Sequence, residues 1–226
     1  GLGIWGVAPE ADYFAYKVLN NRGSGTYDAI AAAIRMAADN GADIISMSLG
    51  GSSAPEYVRD AIIYANGKGS LVIAAAGNSG PSVNTIGYPG AYAEAVAVAA
   101  LEMISGTTGS GDSTSLSNLR VSSYSSRGIG TSSGADGIQD REVEIGGPGS
   151  YVESTSNSGG YVKYSGTSMA TPHMAGLAAK MWQGSAASTR SWLVSQAQRY
   201  DITQANGGGA ATGYDYASGY GGPRVN

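Results

Sequence analysis

The strongest indication of the fold of this chain is the segment Ser70-Leu71-Val72-Ile73-Ala74-Ala75-Ala76. Its apolar residues follow one another without alternation, which is typical of a strand buried on both faces of a parallel sheet. Similar runs occur at Asp43–Leu49 and Ala95–Ala99, and a helical pattern precedes each of the first two strands. This order predicts an α/β fold: a doubly wound, mostly parallel sheet with helices on both faces.

The first helix is predicted at Thr26–Asn40, where Ile30, Ile34 and Ala38 recur every four residues on one face. Thr26 suits the N-cap, and Gly41 suits the C-terminal end. The other predicted elements are a strand at Tyr13–Leu19, a helix at Ala54–Lys68, a strand at Glu142–Ile145, and helices at Ser168–Gln183 and Ser188–Arg199. Together they predict one domain spanning residues 1–226.

Composition excludes several functions. The net charge is −4 and basic residues form no long run, so nucleic acid is not an expected partner. No apolar run approaches the roughly 18 residues of a membrane helix, so no membrane partner is expected. The chain has no cysteine, which excludes disulfides and thiolate chemistry.

Residues 103–141 are rich in serine, glycine and threonine, which predicts a Ser/Gly-rich surface insertion. Asp112, Asp136 and Asp140 offer oxygen atoms to a cation there, but they lack the dense spacing of a calcium loop. No metal ligand can therefore be named from the sequence.

The segment Gly166-Thr167-Ser168-Met169-Ala170-Thr171-Pro172-His173 places a serine at a glycine turn that leads into a helix. Ser168 is therefore a candidate nucleophile. The single histidine, His173, is a poor base for it, because five residues along a helix rotate the side chains to about 140° apart. An α/β-hydrolase esterase is disfavoured, because that class needs a histidine well after the serine.

Asn78 follows the buried strand and lies between Gly77 and Ser79. Asparagine in such a position is often only a turn residue, but at the carboxyl end of a strand its amide can also donate to an oxyanion. The residue taken alone leaves both interpretations open.

Three segments read together resemble the subtilisin-like serine proteases. They are Ser46-Met47-Ser48-Leu49-Gly50-Gly51, Ala74-Ala75-Ala76-Gly77-Asn78-Ser79-Gly80 and Gly166 to His173, in this order and at this separation. The resemblance implies a serine endopeptidase that acts on polypeptides. It makes Ser168 the nucleophile, and Asn78 the oxyanion donor together with the Ser168 backbone amide. His173 becomes a structural residue.

The resemblance also implies a substrate site. Ser48, Leu49 and Gly50 would pair with an extended peptide, with Gly23, Ser24 and Gly25 on its other side. The first specificity pocket would be lined by Ala75, Ala76, Gly77 and Gly87, whose small side chains leave room for a large apolar residue.

In that family the catalytic aspartate and histidine lie upstream of the position that matches Gly1. We therefore expect residues 1–226 to be an incomplete catalytic domain, inactive alone, whose partner is a complementary N-terminal segment or propeptide. The resemblance further implies an extracellular location and a structural calcium without assignable ligands, whereas the chemistry requires no cofactor. The alternative is a non-catalytic subtilase-like fragment that binds peptides or has a structural role.

Overall fold

The computed structural model describes residues 4–104, 118–130 and 137–224. These contain four helices and seven strands, listed in chain order: α1 (Tyr27–Asp39), β1 (Ile44–Met47), α2 (Glu56–Gly67), β2 (Leu71–Ala75), β3 (Val96–Met103), β4 (Leu119–Val121), β5 (Ile145–Pro148), β6 (Val152–Thr155), β7 (Tyr161–Tyr164), α3 (Thr167–Lys180) and α4 (Ala186–Arg199).

In the main sheet, β2 lies between β1 and β3. Strand β2 is parallel to β1, with Val72 opposite Ile45, and parallel to β3, with Ile73 opposite Val96. Strand β5 is also parallel to β3, whereas β4 is antiparallel to it. The predicted mostly parallel sheet is confirmed. Strands β6 and β7 form a separate antiparallel pair.

The two faces of β2 pack against different helices. Val72 and Ala74 lie in an apolar cluster with residues of α1 and α2, whereas Leu71 and Ile73 lie in a second cluster with residues of α3 and α4. All five residues of β2 are buried, as the unbroken apolar run predicts. Burying an aliphatic side chain such as Ile73 contributes about 1.5–3 kcal/mol to the free energy of folding. Strand β2 therefore stabilises the packing of helices on both faces of the sheet.

The helices begin where polar caps are available. The Thr26 hydroxyl oxygen accepts a hydrogen bond from the Ala29 amide at 3.3 Å, and the Ser185 hydroxyl oxygen accepts one from Ser188 at 3.1 Å. These bonds satisfy amides that have no partner within α1 and α4. Helix α2 begins at Glu56, and Pro55 takes its N-cap position.

Two strand predictions need correction. Tyr13–Leu19 is not a strand, and among the described residues it has no ladder partner. Its residues Tyr13 and Phe14 are 87% and 61% exposed. The prediction was wrong because an alternating pattern does not by itself supply a neighbouring strand. The strand predicted at Glu142–Ile145 instead spans Ile145–Pro148. Both Glu142 and Glu144 are buried just before it. The Glu142 carboxylate accepts from the Gln139 amide three residues earlier, and the Glu144 carboxylate accepts from Arg190 of α4.

The predicted surface insertion at 103–141 is also wrong for its described central part, residues 118–130. This part contains β4 of the main sheet, and Ser122, Ser125, Ser126 and Arg127 are fully buried. A serine-rich segment lies at the surface when water is the hydrogen-bond partner of its hydroxyls. Here several of the hydroxyls form hydrogen bonds with protein atoms instead. Residues 105–117 and 131–136 lie outside the described residues, as do Asp112 and Asp136.

Across the described ranges, none of the helices combines the length and apolar character needed to cross a membrane.

Candidate active site

Ser168 is the second residue of α3, and β1 ends close to it. Pro172 lies inside α3 and has no amide hydrogen, so the Ser168 carbonyl has no donor from the next turn of the helix. The Ser48 hydroxyl donates to that carbonyl at 2.8 Å instead, and the Ser168 hydroxyl lies 3.4 Å from the Ser48 carbonyl oxygen. The proline therefore frees a carbonyl that ties the predicted nucleophile to the predicted substrate strand.

The Asn78 side chain is held by Thr167. Asn78 Oδ1 accepts from the Thr167 backbone amide at 2.9 Å and from the Thr167 hydroxyl at 3.1 Å. The Thr167 Oγ1 in turn accepts from the Gly77 amide at 3.1 Å. Because the Thr167 amide can only donate, the oxygen of Asn78 must face it, and Nδ2 remains as the donor on the other side.

A second donor lies at the start of the same helix. The Ser168 amide belongs to the first turn of α3, so it has no carbonyl partner within the helix. A Cβ placed on Gly166 would lie only 3.4 Å from Asn78 Nδ2, which puts that amide directly beside the turn into α3. Two such donors beside a serine hydroxyl can stabilise negative charge on a carbonyl oxygen under attack.

Sequence reasoning singled out Ser168 and Asn78 but missed Thr167. Its side chain is fully buried and joins two segments that lie 89 residues apart in the chain. The only signal available was a β-branched polar residue directly before the candidate nucleophile.

The small residues predicted to line the specificity pocket come together. Ala75 and Ala76 are buried, and the Gly87 amide donates to the Ala76 carbonyl at 2.9 Å. A Cβ on Gly87 would lie 3.3 Å from the Gly51 carbonyl oxygen, so this wall reaches the residue after Gly50. The Gly51 and Tyr88 backbones exchange hydrogen bonds at 2.9 and 2.8 Å and fix that approach.

The predicted second pairing segment, Gly23-Ser24-Gly25, lies in a turn before α1. The Asn20 amide donates to the Ser24 carbonyl at 2.8 Å, and a Cβ on Gly25 would collide with the Val18 carbonyl oxygen. The hydrogen bonds found for this turn do not join it to Ser48–Gly50. Its role in binding peptide stays a prediction.

A groove of about 1060 Å³ runs along β1. Its walls are the extended segment 11–19, the inner face of α1 and the end of α3 at Ala179, with Trp182 beyond it, and Ser48 and Leu49 lie at its rim. Strand β1 pairs with β2 on one side only among the described residues, so its other edge faces this groove.

His173 is engaged elsewhere, because its Nδ1 lies 2.8 Å from the Met169 carbonyl oxygen one turn back in α3. Asp140, one of the three candidate cation ligands, accepts from both terminal nitrogens of Arg59 and from the Ala93 amide. Across the described ranges, acidic and histidine side chains form no group of three or more that could hold a metal ion.

Two arginines join separate segments of the fold. The Arg127 guanidinium donates to the Ser122, Ser125 and Asn206 carbonyls. Burial lowers the pKa of Arg127, although the charge of Asp215 opposes this shift. Arg190 of α4 binds the buried Glu144 carboxylate through two hydrogen bonds of 2.8 and 2.6 Å.

Comparison with known proteins decides the family. The profile of the subtilase family matches residues 1–221. The chain belongs to the subtilase family. It is 47% identical to a subtilisin from Bacillus sp. (strain TA39), over 98% of this chain and 52% of that protein, and 41% identical to thermitase from Thermoactinomyces vulgaris, over 78% of this chain and 53% of that protein. This subtilase chain thus spans about half the length of these curated relatives.

Solved structures agree with the subtilase assignment. Sphericase is 50% identical, with a TM-score of 0.90 over 99% of this chain and 72% of that chain. The S41 psychrophilic protease is 47% identical, with a TM-score of 0.86 over 97% of this chain and 70% of that chain. At these identities the predicted subtilisin-like fold is confirmed.

Proposed function

We propose that this subtilase chain supplies the nucleophile and the oxyanion hole of a serine endopeptidase. The observation that carries the proposal is that Asn78 Oδ1 accepts hydrogen bonds from the Thr167 amide and hydroxyl. This leaves Asn78 Nδ2 and the Ser168 amide as donors at the turn that carries the Ser168 hydroxyl. The Ser168 oxygen attacks the peptide carbonyl, and the two donors hold the tetrahedral oxyanion. A general base accepts the Ser168 hydroxyl proton during the attack and gives it to the amine as the C–N bond breaks. Water hydrolyses the resulting acyl ester and restores Ser168.

The proposed substrate is an extended polypeptide. The backbone of Ser48–Gly50 continues from β1 and provides an edge for backbone pairing, which accepts many sequences. Ala75, Ala76, Gly77 and Gly87 present little side-chain volume, so we propose that the pocket accepts a large apolar side chain next to the scissile bond.

We propose that the general base comes from a complementary polypeptide segment, because the Nδ1 of His173, the only histidine in the sequence, already lies 2.8 Å from the Met169 carbonyl oxygen. Without that base Ser168 keeps the reactivity of an ordinary alcohol, so we propose that these residues are inactive alone. The groove beside β1 supports the proposal of a complementary segment, because it offers a β1 edge that has no partner strand among the described residues, together with the exposed residues Tyr13 and Phe14. We propose an extracellular location, as expected for relatives of the subtilisins.

The test is hydrolysis of casein, and of a chromogenic peptide with phenylalanine before the scissile bond, by the full-length gene product. We expect Ser168→Ala to abolish turnover. Asn78→Ala should lower kcat about 10²–10³-fold with little change in KM, a magnitude established for subtilisin itself. His173→Asn is the matched control and should keep more than half of the activity.

Peptide binding by the unmodified full-length protein without hydrolysis would overturn this proposal and favour a non-catalytic peptide-binding subtilase.

A further inference from the structure

The loop that carries Asn78 is held by a second buried segment, the turn Ser122–Gly128, here called the serine turn. The Ser126 amide donates to the Gly77 carbonyl at 2.9 Å, and the Ser126 hydroxyl oxygen accepts from the Ser79 amide at 3.2 Å. These are the two peptide groups on either side of the Asn78 Cα atom. A single residue therefore fixes both backbone connections of the proposed oxyanion donor.

The serine turn itself is rigidly held. Arg127 is fully buried, and its guanidinium donates to the Ser125 carbonyl at 2.7 Å and to the Ser122 carbonyl at 3.2 Å. The Gly80 amide donates to the Tyr124 carbonyl at 2.9 Å, which adds a third bond between the loop and the turn.

The fit between the two segments is close. Gly77 has a φ of 107°, which favours glycine, and a Cβ there would lie 2.9 Å from the Ser126 hydroxyl oxygen. A Cβ on Gly80 would collide with the Ser125 carbonyl oxygen. The loop can therefore adopt this position only because its glycines leave space for the serine turn.

We infer that Ser126 is a positioning residue for catalysis: it fixes the peptide backbone around Asn78 so that Nδ2 meets the oxyanion as it forms. This inference rests on the proposed protease function. Thr167 holds the oxygen end of the Asn78 side chain, and Ser126 holds the backbone from which that side chain extends. A donor misplaced by a fraction of an ångström loses much of its stabilisation of the transition state.

Ser125 provides a matched control for Ser126. Both serines are fully buried on the same turn, and both hydroxyls accept from a backbone amide. The donor to Ser125 is Ala100 of β3 at 3.0 Å, so its hydroxyl does not contact the Asn78 loop. Each Ser→Ala change leaves one backbone amide without its acceptor. The Ala100 amide is buried and the Ser79 amide only part-buried, so Ser125→Ala should lose at least as much thermal stability as Ser126→Ala.

The experiment compares Ser126→Ala and Ser125→Ala in the full-length gene product, each with and without Asn78→Ala. We expect Ser126→Ala to lower kcat about 5- to 20-fold with KM within twofold, and Ser125→Ala to change kcat less than twofold. In the Asn78→Ala background the effect of Ser126→Ala should fall below twofold, because its target is gone. Equal kcat values for the two serine variants, or an undiminished effect of Ser126→Ala without Asn78, would overturn the inference.

Hydrogen exchange tests the same contact without catalysis. The Ser79 amide should exchange at least tenfold faster in Ser126→Ala than in Ser125→Ala. Equal exchange rates would overturn the inference even if the protein is an active protease. Failure of the unmodified full-length protein to hydrolyse peptide, with the expected exchange pattern present, would instead overturn the proposed function and with it the catalytic role of Ser126, leaving only the contact.

Discussion

Replacing Thr167 by valine tests the hydrogen bonds that orient the Asn78 side chain. Valine has nearly the same shape but no hydroxyl, so the Gly77 amide loses its acceptor and Asn78 Oδ1 loses one of two donors. The Gly77 amide is part-buried, so leaving it unsatisfied costs about 1–2 kcal/mol, the lower part of the range for buried groups, and a lost neutral hydrogen bond costs about 0.5–1.5 kcal/mol. The added buried methyl group offsets about 1 kcal/mol of this. We expect a net loss of about 1.5 kcal/mol in the free energy of unfolding.

The assay is guanidinium unfolding of Thr167→Val in a Ser168→Ala background, where self-digestion cannot occur. With Ser168 intact, kcat should fall about tenfold, because Asn78 keeps only the Thr167 amide as an anchor. Thr167→Ser retains the hydroxyl and should recover most of both losses. A change below about 0.5 kcal/mol, with kcat unaltered, would mean that the Thr167 hydroxyl does not hold Asn78, since that is the range of surface substitutions.

Three further predictions concern Arg190, Tyr92 and Met169. Arg190→Met should lower the free energy of unfolding by about 3–5 kcal/mol, because Glu144 is 1% exposed and would keep an uncompensated charge; a thermal midpoint near that of the unmodified protein would count against a buried ion pair. Burial raises the pKa of Tyr92 to about 12, so the stability from its neutral hydroxyl is complete below pH 10 and is lost as the pH rises through 12. Unfolding curves of Tyr92→Phe should therefore be less sensitive to pH in that window, and equal slopes would contradict this. Oxidation of Met169, whose sulfur would lie 3.7 Å from a Cβ on Gly166, should place a polar oxygen near the oxyanion donors and lower kcat; unchanged turnover with the sulfoxide confirmed by mass spectrometry would refute that placement.

Local pattern was sufficient for much of the fold. The unbroken run in Ser70–Ala76 indicated a strand buried on both faces, and Thr26 marked the start of α1 to within one residue. Burial of a strand and capping of a helix can both be predicted from residues that are close together in the sequence. The alternation in Tyr13–Leu19 gave a wrong strand, since pairing depends on a partner that the segment itself does not encode.

Long-range contacts explain what sequence reasoning missed at the site. The bonds from Thr167 to Asn78 and from Ser126 to Ser79 join segments 89 and 47 residues apart. The serine turn had the composition of a surface loop, and only the folded structure shows Arg127 and its neighbouring serines in the interior. Ser168 and Asn78 were predicted from their motifs, whereas the residues that hold them carry no comparable local signal.

Covalent labelling shows whether this chain carries the nucleophile of a serine endopeptidase. The full-length gene product is incubated with a peptidyl phosphonate at neutral pH, digested and analysed by mass spectrometry. We predict one adduct, on the Ser168 oxygen, that is lost in Ser168→Ala and kept in His173→Asn. A full-length protein that is folded but acquires no adduct at Ser168 would contradict the account.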